Sequence, residues 1–277
     1  MAWACWWSRR RSRSSSGAAR ARKPGQCSPR CVPTARASRR RGPLGWLALA
    51  WKVFCYGLGT LVAVALSVQC WFFAQVLWWR AYAPASTALM GARLAQLQKQ
   101  SPGAKLQQQW VDYASISAQL KRAVVAAEDA KFMDHEGFDW EAISKAIERN
   151  EKKGRIVAGA STISQQLAKN LFLSGERSWV RKGQEALITS MLETALPKRR
   201  ILELYLNFAE WGEGVFGAEA AARYHFGTQA AGLGAEQAAY LAVILPSPRR
   251  YERGRVTPYV ADRMAAILAR MPAARIP

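Results

Sequence analysis

The chain has 277 residues, with 40 Lys or Arg, 19 Asp or Glu and a formal net charge of +21, a length that suits one ordinary domain with an appendage. Thirteen of the basic residues and none of the acidic ones lie in Met1–Trp79, so the remainder carries a moderate +8, which suits a surface beside anionic lipid or phosphate and does not require nucleic acid. All five cysteines lie at or before Cys70, and the only histidines are His135 and His225, which excludes a Cys-based metal site or disulfide framework later in the chain and argues against a His-rich metal site.

The first segment, residues 1–43, is a basic tail. Within it, Ser8–Arg41 mixes Arg, Ser, Pro and Gly. A segment of this composition cannot bury a hydrophobic core, so we expect it to be disordered. The tail could bind lipid headgroups or nucleic acid, and it could equally result from the choice of an upstream start codon. The sequence assigns it no function.

Residues 44–80 are predicted to form a transmembrane anchor with its flanks. Val53–Trp79 is uncharged over 27 residues, which as a helix would extend ~40 Å and cross a hydrocarbon core of ~30 Å with some tilt. Trp and basic residues flank both ends, as at membrane interfaces. A buried core helix rarely runs this long without charge. A cleaved signal peptide, for which Ala81-Tyr82-Ala83 offers a site, has a shorter apolar run.

The distribution of charge predicts the orientation of this helix. The Arg-rich side, including Arg39, Arg40 and Arg41, is expected in the cytoplasm, and everything after Arg80 outside it. The next segment, 81–109, contains two prolines and one short helical pattern, and we expect a stalk there. The folded domain is then 110–277. Its apolar residues recur at intervals of three and four without sustained alternation, which predicts a mainly helical domain.

The first strong helix of the domain is predicted at about Ser115–Phe132. Its apolar stripe contains Leu120, Val124 and the last residue of the helix, and Glu128 occupies the missing position in that stripe. A carboxylate in an apolar row is costly to desolvate unless it has partners or a function that needs a raised pKa. The alternative is a solvated Glu paired with Lys131.

A second helix is predicted within Gly159–Asn170, where Thr162 and Gln165 have the spacing of a capping box. Its polar face comprises Thr162, Gln165, Gln166, Lys169 and Asn170. Hydroxyl, amide and ammonium groups near a helix N-terminus make a site for an anion or a sugar. A plain solvated face is the alternative.

A third helix is predicted at Trp179–Ala195. Arg181 and Lys182 lie at its start, where two cations oppose the helix macrodipole, and this arrangement indicates an anionic ligand. The alternative is a surface pair between Arg181 and Glu185, although Arg ahead of Glu is the weaker order. The residues expected to face inward are Leu187, Ile188, Met191 and Leu192.

Three further elements complete the domain. Ile201–Asn207 should end a helix, the glycines between Gly212 and Gly217 should form a turn before a helix at Ala218–Tyr224, and Gly234–Leu245 should be the final helix, stopped by prolines. The glycine cluster has neither Walker nor Rossmann spacing, so we expect it to shape a loop rather than bind phosphate.

Taken in this order, the segments resemble the peptidoglycan glycosyltransferases, family 51 of the glycosyltransferases, over roughly Gln119–Tyr251. The resemblance rests on four motifs, which are Glu128–Gly137, Gly159–Asn170, Arg181–Glu185 and Lys198–Asn207. A glycine-rich fifth stretch, Asn207–Gly227, is similar in form to that of the monofunctional enzymes. One departure is Thr228, where relatives often carry Lys; it bears on a basic contact at that position and not on the activity.

The resemblance implies a mainly α, lysozyme-like bilobal domain preceded by a single transmembrane helix. The smaller lobe, partly dipping into the membrane, is expected around Trp140–Ala158. Fold alone does not choose a reaction, because lysozymes share this fold and break the bond that this family makes. The family polymerises the disaccharide-pentapeptide lipid called lipid II into linear glycan strands and releases undecaprenyl diphosphate. The sequence contains no Ser-x-x-Lys or Lys-Thr-Gly motif, so no transpeptidase activity is expected.

The resemblance also assigns roles to residues. Glu128 is expected to be the catalytic base and Glu185 a second catalytic carboxylate that orients or polarises the leaving-group side, while Lys169, Arg181 and Lys182 bind the diphosphate. The other residues expected to bind substrate are Asp129, Ser161, Thr162, Gln165, Gln166 and Asn170. No metal site or certain cofactor is implied, and the sequence leaves open whether a divalent cation such as magnesium assists the diphosphate.

The implied partners are lipid II, the growing glycan chain and membrane lipids, with no nucleic acid. Other cell-wall synthesis or division proteins remain open. The implied location is the bacterial inner membrane, crossed once, with a cytoplasmic N-terminus and a periplasmic domain. Two alternatives remain: a peptidoglycan-cleaving lytic transglycosylase or lysozyme, which would need an acid rather than a cationic clamp, and a non-catalytic membrane scaffold, which would leave the charged motifs without a role.

Overall fold

The structure, a computed structural model, describes residues 43–155, 159–173, 178–251 and 256–277. The tail expected to be disordered, up to residue 42, lies outside these residues, as do the last three residues of the expected smaller lobe. The chain divides into two units, Met1–Tyr56 and Gly57–Pro277. The described part of the first unit is the beginning of one helix, and the second unit holds every contact discussed below.

The described residues form ten α-helices, and the expectation of a mainly α fold is confirmed. In chain order they are α1 Pro43–Trp78, α2 Ala88–Gln100, α3 Ala118–Glu128, α4 Trp140–Lys153, α5 Ile163–Phe172, α6 Trp179–Ala195, α7 Lys198–Phe208, α8 Ala218–Phe226, α9 Ala235–Ile244 and α10 Pro258–Arg270. Short 3-10 turns lie at Tyr113–Ser115, Ala230–Gly232, Pro248–Arg250 and Met271–Ala273.

A small sheet supplements the helices. Its strands are β1 Gln107–Gln108, β2 Glu210–Gly212 and β3 Val215–Phe216, in the order β1-β3-β2. β1 pairs in parallel with β3, with Gln107 opposite Val215, and β2 pairs antiparallel with β3. The turn between β2 and β3 and the start of α8 contain Gly214 and Gly217, both at positive φ. A side chain at Gly217 would meet the backbone oxygen of Asn207 at 2.7 Å, so this close approach requires glycine.

Within α1, the span Gly45–Trp78 is long and apolar enough to cross a membrane by length and composition. It is the one such helix among the described residues. Its large apolar side chains are mostly exposed as far as Trp71, as expected of a lipid-facing surface. This matches the predicted anchor and makes a single-pass membrane anchor the best account of α1.

The last turns of α1 pack against the domain. Gln69 and Gln184 on α6 exchange two amide hydrogen bonds, at 2.9 and 3.0 Å. The rings of Phe72 and Trp79 lie 5.1 and 4.8 Å from the ring of Phe172 at the end of α5. Val76 and Trp79 are buried in the same hydrophobic core as the domain. The docked side chains recur every three or four residues and therefore form one stripe of the helix.

Arg200 on α7 ties down the C-terminal end of α1. Its Nε donates to the backbone oxygen of Trp79 and its Nη2 to that of Tyr82, both at 2.9 Å. Both carbonyls follow the last residue of α1, and a guanidinium at this position complements the helix macrodipole. Arg200 also pairs with Glu203, whose Oε1 accepts from the backbone N–H of Tyr113.

The segment expected to be a stalk, 81–109, packs instead into the domain. Thr87 caps α2 by accepting from the N–H of Met90, whose side chain is buried. α2 contacts α5, and β1 belongs to the sheet. The short helix expected within this segment is confirmed as α2, and the two prolines that suggested a stalk lie outside it.

The core is formed by two groups of helices. α3 packs against α9 and α10, and α5 packs against α6 and α7. The expectation that the helix at Gly234–Leu245 is the last one is wrong, because α10 follows it. Thr257 caps α10, Pro258 occupies its first position, and Val260 and Ile267 are buried. This N-cap and Pro pair is a helix start signal that was present in the sequence.

The helix predicted at Ser115–Phe132 is shorter than expected. α3 ends at Glu128 because Asp129 leaves helical geometry, at φ −160° and ψ 75°. The helix predicted at Trp179–Ala195 is confirmed at both ends, and so is the capping box of Thr162 and Gln165. Leu187, expected to face inward, is 52% exposed, because it lies on the outer face of α6.

Candidate active site

Glu128 is half-buried at the C-terminal end of α3. Its Oε2 accepts a hydrogen bond of 2.7 Å from Nε2 of Gln166 on α5. Burial raises the pKa of Glu128, while the hydrogen bond from Gln166 and the positive charges of Lys169 and Arg263 oppose that rise and the charge of Asp129 adds to it. A helix C-terminus also carries partial negative charge, so the position itself disfavours a carboxylate. The site therefore raises the proton affinity of Glu128.

Gln166 connects Glu128 to Tyr205 on α7. The Tyr205 hydroxyl donates to Oε1 of Gln166 at 2.8 Å, so the amide is bonded at both ends. Tyr205 is 1% exposed. Burial, together with the charges of Glu128 and Asp129, raises the pKa of Tyr205 well above its usual value. The hydroxyl consequently keeps its proton at neutral pH and remains a donor.

Asp129 makes its hydrogen bonds within the protein. Its buried carboxylate accepts from Nε2 of His135, at 2.9 and 3.1 Å, and from the N–H of Ile163 at 3.0 Å. The helix macrodipole favours a carboxylate that lies, as that of Asp129 does, beside the N-terminus of α5. The residue therefore joins the end of α3, the loop after it and the start of α5. Its atoms are engaged in holding the site rather than in facing a ligand.

Thr162 and Gln165, also expected in substrate binding, have comparable internal partners. The Thr162 hydroxyl donates to the backbone oxygen of Gly137 at 2.7 Å and accepts from the N–H of Gln165 at 3.2 Å. Oε1 of Gln165 accepts from the N–H of Thr162 at 3.1 Å. Both side chains are buried. Ser161 is exposed just before this cap, where its hydroxyl is accessible.

A cluster of charges lies where α5 and α6 meet. Nη1 of Arg181 lies 3.4 Å from Oε2 of Glu185, and Nζ of Lys182 bonds Oε1 of the same carboxylate. Glu185 is buried, whereas Lys182 is exposed. Lys169 reaches solvent, yet burial lowers its pKa, as do the charges of Arg181 and Lys182, while the carboxylates of Glu185 and Glu128 raise it.

Lys169 links this cluster to Glu128, because the charges of both Glu185 and Glu128 act on it. Three cations, Lys169, Arg181 and Lys182, share two carboxylates. The Nε atom of Arg181 is buried, and the described part of the chain provides it with no hydrogen-bond acceptor. Arg181 and Lys182 belong to the first turn of α6. The arrangement is suited to a ligand with several negative charges.

Some of these groups border a cleft of about 640 Å³, whereas Glu128, Ser161, Arg181, Lys182 and Glu185 are not among its lining residues. Gln166, Lys169, Asn170 and Tyr205 line one side of it. The other lining residues are Leu89, Arg93, Ala209, Glu210, Leu245, Pro246, Ser247, Pro248, Arg249 and Arg250. Of the predicted site residues, Gln166, Lys169 and Asn170 therefore face the cleft together, with Glu128 behind Gln166.

Several of these cleft residues were missed in the sequence. Arg93 on α2 pairs with Glu210 on β2 through two contacts of 2.7 and 2.9 Å, and both side chains are nearly buried. Arg93 lay in the expected stalk, so it was not considered. Tyr205 belongs to the fourth motif and could have been singled out there. Arg249 and Arg250 carried the signal of two adjacent cations after a proline.

No group of three or more His, Cys, Asp or Glu side chains in the described ranges is arranged to hold a metal ion. This finding concerns an ion held by the protein. A diphosphate brings oxygen ligands of its own, and a magnesium ion bound to it would need few from the chain.

Comparison with known proteins gives one consistent result. A family model described as Transglycosylase matches residues 93–272, so the match begins within α2. The biosynthetic peptidoglycan transglycosylase of Dechloromonas aromatica (strain RCB) is 58% identical over 217 residues, which cover 78% of this chain and 94% of that protein. Its counterpart from Azoarcus sp. (strain BH72) is 56% identical over 227 residues, 82% of this chain and 98% of that protein. The counterpart from Janthinobacterium sp. (strain Marseille) is 55% identical over 216 residues, which cover 78% of this chain and 94% of that protein.

The raised pKa of Glu128 predicts an effect on stability. Because the folded pKa lies above the unfolded one, ionisation of Glu128 destabilises the fold at pH 7, and this penalty disappears as the pH falls below the unfolded value of about 4.3. Glu128→Gln should therefore raise the thermal unfolding midpoint at pH 7 by about 2–4 °C, the shift that ~1 kcal/mol produces in a domain of this size. The gain should shrink towards pH 4. Circular dichroism of the detergent-solubilised protein measures both.

Glu185→Gln is the matched control. Its charge is partnered by Arg181 and Lys182, so its removal leaves two cations without their carboxylate and should lower the midpoint at pH 7. A Glu128→Gln protein that loses as much stability as the Glu185→Gln protein would contradict the description of Glu128 as a carboxylate that the fold disfavours.

Proposed function

This chain belongs to the transglycosylase family, the peptidoglycan glycosyltransferases of family 51, and we propose that it polymerises lipid II into linear peptidoglycan strands with Glu128 as the base. The observation that carries the proposal is the proximity of Glu128, a carboxylate with a raised pKa, to the ammonium group of Lys169, on which the charges of Arg181, Lys182 and Glu185 also act. A reaction between a hydroxyl and a lipid diphosphate needs both groups: one to take a proton and one to accept departing negative charge.

The proposed step is a displacement at the anomeric carbon of the growing, lipid-linked chain. The 4-hydroxyl oxygen of lipid II forms the new bond to that carbon, and the bond to undecaprenyl diphosphate breaks, with the electron pair leaving on the diphosphate. The hydroxyl proton passes to a carboxylate oxygen of Glu128. Attack from the face opposite the leaving group inverts the configuration. Base catalysis of this kind contributes ~10²–10⁴-fold in rate.

The cations are proposed to hold the diphosphate. Lys169 projects from α5 and Arg181 and Lys182 from α6, so a diphosphate between the two helices would meet all three. We propose that Glu185 orients Arg181 and Lys182 through its two ion pairs, in place of touching the leaving group. Ser161, Gln166 and Asn170 would contact the donor sugars. Asp129, Thr162 and Gln165 would act by holding the loop and helix that present those contacts.

The membrane arrangement is also a proposal. We propose that α1 crosses the inner membrane once, with the N-terminus in the cytoplasm and the domain in the periplasm, because the basic residues are concentrated before Val53. Trp140 and Ile147 on α4 are exposed, and Trp179 at the start of α6 is 92% exposed. These side chains support a lobe that dips into the membrane beside the lipid-linked substrate.

The central test is the conversion of labelled lipid II by the detergent-solubilised protein, followed by sizing of the glycan. Glu128→Gln should lower turnover by ~10²-fold or more, because it removes the proton acceptor. Lipid II affinity should change far less, since the lost interaction belongs mainly to the transition state. Glu148→Gln, which removes a surface carboxylate paired with Lys152, is the matched control and should retain full activity.

Two results would overturn the assignment. One is a folded Glu128→Gln protein that binds lipid II and makes glycan at nearly the wild-type rate. The other is release of soluble fragments from purified sacculi without lengthening of lipid II, which would establish the lytic reaction instead.

The cation assignment predicts a loss of diphosphate recognition. Lys169→Ala, Arg181→Ala and Lys182→Ala should each weaken binding of a diphosphate-lipid analogue by up to ~10-fold, while a monophosphate-lipid analogue should be affected less. Lys145→Ala, which removes an exposed cation paired with Glu141 on α4, serves as the control. If all three variants kept the wild-type preference for diphosphate, the binding site for that group would lie elsewhere, with Arg249 and Arg250 the next cations to examine.

The proposed orientation predicts the behaviour of reporter fusions. A reporter that is active only outside the cytoplasm should be active when joined after Arg80 and at Pro277, and a cytoplasmic reporter should be inactive at both positions. Cytoplasmic activity at either junction would reverse the topology. The polymerase proposal would then fail too, because the glycan is assembled outside the cytoplasm.

A further inference from the structure

Tyr205 is connected to Glu128 by a chain of two hydrogen bonds through Gln166. We propose that Tyr205 is a positioning residue for Glu128, because its hydroxyl holds the Gln166 amide with the nitrogen towards the carboxylate. This inference rests on the proposed function, in which Glu128 is the base. The inference adds one requirement to the proposed function: the nitrogen of the Gln166 amide must face the carboxylate of Glu128.

The two ends of the Gln166 amide have nearly the same shape but opposite hydrogen-bonding character. Its Nε2 donates to Glu128 Oε2 at 2.7 Å, and its Oε1 accepts from the Tyr205 hydroxyl at 2.8 Å. An ionised carboxylate can only accept, so it needs the nitrogen. A protonated carboxyl group can donate, so it would be stabilised by the oxygen. The orientation of one amide therefore decides which protonation state of Glu128 is favoured.

Tyr205 is fixed in a way that lets it set this orientation. Its ring is buried in the core on α7, and α7 packs against α5, which carries Gln166. Its raised pKa keeps the hydroxyl protonated in the working range. A phenol is a better donor than acceptor, so the hydroxyl favours Oε1 of Gln166 as its partner whether or not Glu128 carries a proton.

The consequence concerns the moment after proton transfer. When Glu128 has taken the proton of the sugar hydroxyl, rotation of the amide would stabilise the protonated form and delay the return to the ionised base. The Tyr205 hydrogen bond opposes that rotation. Loss of the hydroxyl should therefore raise the pKa of Glu128 and shift its ionisation towards higher pH.

Other charges act on Glu128 and would be unchanged in a Tyr205 variant. They are Asp129 in the same turn, Lys169 on α5 and Arg263 on α10. Asp129 raises the pKa of Glu128, and the two cations lower it. Because none of these groups is altered by removing a hydroxyl from α7, a shift caused by Tyr205→Phe can be assigned to the hydrogen-bonded chain.

The test compares the pH dependence of lipid II polymerisation in the full-length, detergent-solubilised protein and in Tyr205→Phe. The acid limb of kcat should move upward by ~0.5–1 pH unit, the scale of one buried hydrogen bond. Turnover should fall ~3–10-fold on that limb and largely recover above it, whereas KM should stay within about twofold of wild type. Tyr113→Phe is the matched control, because it removes another hydroxyl of a buried tyrosine, which donates to the Pro277 backbone oxygen at 2.7 Å. It should leave the limb in place.

A second variant separates positioning from direct contact with substrate. Gln166→Leu removes the middle of the chain and should also move the acid limb upward; it gives this readout even if Tyr205→Phe does not fold. In the Gln166→Leu background, Tyr205→Phe should cause no further shift. An additional shift there would mean that Tyr205 acts on the substrate itself and would overturn the proposal, as would an unmoved limb in Tyr205→Phe or in Gln166→Leu. Failure of the wider function has a different signature, since it appears as undiminished turnover in Glu128→Gln.

Discussion

The buried carboxylate of Asp129 is the contact on which the geometry of the site depends. It accepts from His135 and from the first N–H of α5, so it fixes where α3 ends and where α5 begins. Glu128 consequently becomes the last residue of its helix, and Gln166 lies on the first turn of the next, within hydrogen-bonding distance. Bonds to an ionised acceptor are shorter and stronger than neutral ones. Lys198 reinforces the same loop by donating to the His135 backbone oxygen at 2.6 Å.

The placement of charge in the site runs against the intrinsic preference of the helices. A carboxylate terminates α3, where the macrodipole favours a cation, and two cations begin α6, where it favours an anion. The interaction with the macrodipole would be more favourable in each helix if the charges were exchanged. A ligand that delivers a proton to the carboxylate and negative charge to the cations would relieve both mismatches. The unfavourable charges at the end of α3 and the start of α6 lower the stability of the fold, as is common where side chains serve a function.

Sequence reasoning recovered the elements whose signals are local and missed those decided by tertiary partners. The capping box of Thr162 and Gln165 and both ends of α6 followed from patterns within a few residues. The same polar atoms of Thr162 and Gln165 could equally have served a ligand, and only the fold reveals that the protein uses them itself. The end of α3 could not be read from the sequence, because Asp129 finds its partners 6 and 34 residues away. Arg93 was missed because it lies in the segment expected to be a stalk, and its pairing with Glu210 on β2 is a tertiary contact.

The amide pair between Gln69 and Gln184 fixes the rotation of the C-terminal part of α1 about its own axis. Each residue of an α-helix advances the chain by about 1.5 Å and turns it by about 100°. One residue added between Gln69 and Trp79 would rotate Gln69 away from Gln184 if Trp79 kept its contact with Arg200. The side chains of residues 57–68, by contrast, are exposed. Gln184 is also the neighbour of Glu185, which holds Arg181 and Lys182. The amide pair therefore fixes the rotation of the C-terminal part of α1 relative to α6, the helix that carries Arg181 and Lys182.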